Sequence, residues 1–189
     1  MRKLKFLTVS FLLMVAIVSC STPKKASLQT QINTLDSLVL EQNLTIISNW
    51  ARPQVTNALQ QVMNSGIMPP GSSAGSVSLT GNSNFLTIAG DSISSHLPFY
   101  GERQMNVNYG GGDSAIKLKG LMKDYKVTKR KDDSYLINFN AKSESSSESF
   151  TISIRLFPNL QGDIFINSTS RSPISYRGEI KKKTTKEVQ

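Results

Sequence analysis

YLINFNAKS, residues 135–143, and SFTISIRLF, residues 149–157, carry an apolar side chain at every second position. Tyr135, Ile137, Phe139 and Ala141 fall on one face, and Asn138, Asn140 and Lys142 on the other; Phe150, Ile152, Ile154 and Leu156 repeat the beat. A two-residue period is that of a strand with one face buried. The intervening ESSSES, residues 144–149, is short and polar, so the two strands form an antiparallel hairpin rather than a parallel crossover. A lone hairpin is marginal in water, and the chain must supply further strands and a cover for the apolar face.

The flanking sequence supplies the strands. SVSLT, NFLTIA and SISSHL are separated by GNS and GD, and IKLKGLM, YKVTKRK, DIFINST and ISYRGEI follow the same alternation between DD, PNLQG and SRSP turns. This predicts an antiparallel meander of about eight short strands, closed into a sandwich or barrel. Cover is expected from the N-terminal side. Leu28, Ile32, Leu35, Val39 and Ile46 recur at helical spacing and predict a helix from about Leu28 towards Trp50, ended by Pro53. Val55, Ala58, Leu59, Val62 and Met63 predict a second, better-defined helix that ends at Gly66 and lies against the sheet, with Trp50 in the core or packed on the sheet.

The chain has 189 residues, of which 38% are hydrophobic and 19% charged, which suits one domain plus appendages. Its net charge of +9 is concentrated at the ends: residues 1–19 carry +3 and residues 181–189 another +3, whereas residues 20–42 cancel and residues 43–180 retain only +3. That distribution argues against nucleic-acid binding, which needs a basic face on the folded body.

The N-terminus reads as an address. MRKLK precedes FLTVSFLLMVAIV, an apolar run too short to span a bilayer. Ile17, Val18, Ser19 and Cys20 resemble the lipobox of bacterial lipoproteins, in which the cysteine receives lipid. Cys20 is the single cysteine, and no intramolecular disulfide can use it. The expectation is a signal peptide over residues 1–19 and a lipid anchor at Cys20. A tether over 20–42, partly helical, an α+β domain over 43–180 and a basic tail over 181–189 follow. Several acyl chains make membrane attachment stable where one is marginal.

DSISSHLPFYG, NYGGGDSAIKLKG, DYKVTKRK, ESFTISIRLFPN and SRSPISYRGEI, together spanning Asp91 to Ile180, resemble the Bacteroidetes family known as domain of unknown function 4251. The order Phe99–Tyr100 looks like a swapped version of the family's usual Tyr-Phe. The resemblance implies a secreted or lipid-anchored α+β domain with an incomplete or lipocalin-like barrel, and it brings no activity. Surface-exported lipoproteins of the same phylum resemble one another in acidic residues just after the cysteine. None stands here, which favours the periplasmic face over the cell surface.

Chemistry narrows by elimination. His96 is the only histidine, so a zinc site has too few ligands, and no cofactor is expected. No GxSxG elbow accompanies the many serines, and GGGDSAIK lacks the GK[ST] ending of a phosphate loop. Asp91, Glu102, Asp113 and Glu179 remain as carboxylates without favoured spacing. The chain therefore reads as a non-enzyme. Phe99, Tyr100, Tyr109, Gly110 and Gly111 lie in the longest irregular stretch, which either binds a ligand or packs over a barrel mouth. The triplets at Asp36, Asp91 and Asp113 resemble the Asp-Ser/Thr-aliphatic pattern of Bacteroidetes O-glycosylation, with Ser37 in the tether as acceptor.

These readings converge on an α+β, envelope-anchored domain with an antiparallel meander, forming a partly closed lipocalin-like barrel or curved sheet and one or two packed N-terminal helices. The expected role is binding of a small apolar or glycan-like ligand between the helix, the concave face and the Phe99–Gly112 loop. The alternative is a structural or partner-binding lipoprotein that docks an envelope protein through a sheet edge. An apolar cavity open at one end speaks for the first, and a core filled by Leu59, Phe139, Ile152 and Ile154 for the second.

Overall fold

The structure is a computed structural model that describes residues 23–81, 83–103 and 114–183, with the backbone alone for 23–26. Two helices, α1 (Pro23–Leu40) and α2 (Asn57–Asn64), accompany strands β1 (Asn43–Pro53), β2 (Val77–Ser78), β3 (Phe85–Ala89), β4 (Ser92–Leu97) and β5 (Ile116–Leu121). Strands β6 (Lys123–Lys129), β7 (Tyr135–Lys142), β8 (Ser149–Leu156), β9 (Gln161–Ser168) and β10 (Ile174–Lys182) complete the chain. Every pairing is antiparallel, in the order β5-β4-β3-β1-β10-β9-β8-β7-β6, and β2 adds to the far end of β1. The wall is a nearly closed barrel with one unsealed seam. The hairpin at residues 135–156 forms as its alternation predicts, with Phe139 opposite Ile152 and Ile137 opposite Ile154.

The helix expected to reach Trp50 stops at Leu40, and residues 43–53 are a strand. Gln42, with φ of 47°, turns the chain out of α1. β1 is the keystone that joins the first half of the meander to the last, pairing with β3 on one side and β10 on the other. A register shift between Ser48 and Trp50 explains the misreading. Leu44, Ile46 and Ser48 point inward at period two, but the bulge then turns Ala51 and Pro53 inward as well. With Ile47 and Trp50 left on the outer face, the apolar residues fall at spacings that imitate a helix. Trp50, expected in the core or packed on the sheet, stands on the outer face of β1 and is 38% exposed. At the bulge β1 crowds its neighbour, and a Cβ at Gly178 would lie 2.0 Å from the Ile47 carbonyl oxygen, so only glycine fits there.

The cover comes from the first of the two predicted helices rather than the second. α2 has the cap its sequence promises, with the Thr56 hydroxyl accepting from the Leu59 amide at 3.2 Å and Gly66 at φ of 73°. It buries only Leu59, leaves Val55 and Val62 half-exposed, and does not cover the sheet as predicted. α1 takes that place: the segment read as a tether is helical from Pro23, and its last two turns seat Leu35, Leu38 and Val39 in the barrel core. The Asp36 carboxylate fastens it, accepting from Lys129 Nζ at 2.9 Å on each oxygen and from Tyr135 Oη at 2.8 Å. Among the described residues no helix is long and apolar enough to cross a membrane.

A candidate ligand site at the barrel seam

The interior is filled. Leu44, Ile46, Leu86, Ile88, Phe139, Ile152, Ile154 and Tyr176 are nearly or completely buried, with Leu35 of α1 added to the same cluster. Leu59, expected as part of that filling, lies outside the cluster. Open space occurs instead where the wall fails to close.

The failure is local and has a cause in the sequence. β5 and β6 are one strand interrupted at Met122, whose amide donates to the Asp91 carbonyl at 2.8 Å. One end of the seam is pinned by the bridge between Leu118 and Ser143 and by the Glu144 amide donating to the Lys117 carbonyl at 3.0 Å. Gly120 then adopts φ of 141°, and the pairing of β6 with β7 resumes at Lys123 opposite Asn140 with a register shift before Lys126. The chain from Lys119 to Met122 bows away from β7, and a pocket of about 700 Å³ opens at the bow.

The pocket has an apolar floor and a cationic rim. Ile93, Ala141 and Phe150 line it from within the wall and are themselves buried, whereas Leu121 lines it while 65% exposed. Lys119, Lys123 and Lys142 stand around it with Asn140, Thr151 and Asn167. Thr151 Oγ1 donates to Asn140 Oδ1 at 2.9 Å, and Asn140 Nδ2 donates to Asp124 Oδ2 at 2.9 Å. That chain satisfies Asp124 locally. Lys119 lies 3.8 Å from Glu144, and among the described residues neither Lys123 nor Lys142 has an ion-pair partner.

The residues singled out from the sequence lie elsewhere. Phe99 is a buried plug at the barrel end away from α1, under the Arg171 guanidinium at 5.1 Å, and Tyr100 packs half-buried beside it. Burial raises the pKa of the Tyr100 hydroxyl. Tyr176 Oη donates to the Pro98 carbonyl at 2.9 Å, and a Cβ on Gly101 would meet the Phe99 ring and Ser172 Oγ. LPFYG is thus a latch over that mouth. Tyr109, Gly110, Gly111 and Cys20 lie outside the described residues. Ser37 is exposed on α1, not in a loose tether, and its hydroxyl donates to Glu41 Oε1 at 2.7 Å. It borders a second pocket of about 620 Å³ between α1 and the end of β10. His96 sits on β4, part-exposed, with Nδ1 3.0 Å from the Ser83 carbonyl oxygen. Among the described residues no group of His, Cys, Asp or Glu gathers into a metal site. Of the carboxylates, Asp91 lies in the β3–β4 turn, Glu179 beside Lys181 on β10, and Glu102 at the opposite end near Ser172.

Two features were missed by sequence reasoning. The seam was signalled by an isolated glycine within IKLKGLM, since glycine inside a strand marks a bulge or bend. Arg171 with Glu148 was not signalled at all. Arg171 Nε donates to both Glu148 oxygens, at 2.9 and 3.0 Å, and Nη1 to the Ser114 carbonyl at 2.6 Å, while Phe150 lies 5.9 Å from the guanidinium. Both side chains are under a tenth exposed. Burial raises the Glu148 pKa, but the bonds from Arg171, Ser168 and Ser170 outweigh it and hold the carboxyl below its ordinary value.

No curated protein matches the chain. A crystal structure of a DUF4251 family protein from Bacteroides eggerthii DSM 20697 is similar at a TM-score of 0.54 and 15% identity, covering 81% of this chain and 88% of that one, a likeness of fold. The family described as Domain of unknown function (DUF4251) matches residues 26–180. That match runs from within α1 to within β10, and the chain belongs to this family.

Proposed function

We propose that the domain is a non-catalytic binding protein of the cell envelope, held to the periplasmic face of a membrane by lipid on Cys20, with a small ligand lying in the seam pocket. The observation that carries this reading is a pocket of about 700 Å³ at the one break in an otherwise paired wall. Small-molecule sites span about 300–1,000 Å³ and combine an apolar lining with a few placed polar groups. Phe150, Ala141 and Ile93 supply the first, and Asn140, Asn167 and the lysines the second.

The filled interior favours a second reading, in which the barrel is an envelope scaffold that docks a protein partner and holds no small molecule. Native mass spectrometry on protein purified from its own host separates the two. Asn167 is exposed on β9 at the pocket wall, so Asn167→Trp obstructs the pocket without entering the core. The ligand reading expects a bound mass on the wild-type protein that is lost from Asn167→Trp. A wild-type protein carrying no bound mass leaves the scaffold reading.

A further inference from the structure

Lys123 and Lys142 both line a pocket whose floor is apolar, and no carboxylate among the described residues neutralises either. Two ammonium groups on one rim without a carboxylate partner present positive charge that an anion in the pocket would neutralise. Asp124, the acidic residue of the lining, is already engaged by the Asn140 amide. The opposite need lies in the same lining. Leu121 is a strand residue left 65% exposed in the same lining as the buried Phe150 and Ala141, and an apolar chain laid against it would remove it from water.

The geometry points to an anionic amphiphile as the ligand: a single acyl or alkyl chain over Phe150, Ala141 and Leu121, and a carboxylate or phosphate head between Lys123 and Lys142. This deepens the seam-pocket reading and rests on it. Lysine suits the task, because its flexible stem lies along apolar surface while the ammonium stays at the water boundary. A glycan offers neither the charge nor the chain and leaves Leu121 uncovered.

Three twelve-carbon probes test the inference by isothermal titration calorimetry below their micelle concentrations: dodecanoate, dodecyl phosphate and uncharged dodecanol. The expected result is that at least one anion binds about tenfold or more tightly than dodecanol, a gap that shrinks with added salt. Which anion binds better separates a fatty-acid source from a phosphate-headed one. The pair Lys123→Gln and Lys142→Gln, both exposed and outside the core, should remove the anion preference and leave dodecanol binding unchanged. Equal binding of all three probes, blocked by Asn167→Trp, would overturn the anionic class while the pocket reading stood. Absence of binding by any probe would overturn the amphiphile, and native mass spectrometry would still decide the pocket.

Discussion

Glu148 and Arg171 show how much of this molecule rests on contacts between residues that sit in turns. Their ion pair is buried between the Phe99 plug and Phe150, so removing one partner strands the other charge in a poorly hydrated place. Glu148→Gln should cost about 3 kcal/mol at neutral pH, read as a shift in urea midpoint. The pH dependence has a definite sign. A carboxyl held below the ordinary glutamate value of 4.5 contributes stability that is complete above that value and is lost as pH falls through its lowered folded value. The wild-type protein should therefore lose stability more steeply below pH 4.5 than Glu148→Gln does. Parallel acid limbs in the two proteins would show that the pair is not the source.

At the scale of elements, α1 takes the covering role that periodicity suggested for α2, and β1 replaces the second half of the first predicted helix. α1 is polar over most of its length and buries only its last two turns, because its task is to close one end of a barrel rather than to lie along a sheet. Leu35 is fully buried and Leu28 half-exposed on the same helix. Leu35→Ala should cost about 3 kcal/mol, and Leu28→Ala less than about 0.5 kcal/mol. Similar losses from both would contradict a helix seated only by its C-terminal half. Thr45, Ile46 and Ile47, three consecutive β-branched residues, were the available sign that residues 43–53 form a strand. The bulge at Ser48 hid it by breaking the alternation halfway along.

At the scale of the molecule, α1 begins three residues after Cys20, so a lipid there would hold the barrel through a helix rather than a loose tether. Metabolic labelling with a fatty acid should mark the wild-type protein and not Cys20→Ala, and a wild-type protein left unmarked would remove the proposed location. The sequence by itself determined the hairpins, their turns and the antiparallel class, because a two-residue period and a turn residue act within a few positions of each other. It also placed charge at the termini and left the folded body nearly neutral. Tertiary structure alone decided that β1 bridges β3 and β10, that α1 and not α2 fills the open end, and that the bend signalled by Gly120 becomes a pocket. Those outcomes depend on which distant strands finish the circle and on how much space their side chains leave. Such quantities arise only when residues far apart in the chain compete for the same interior.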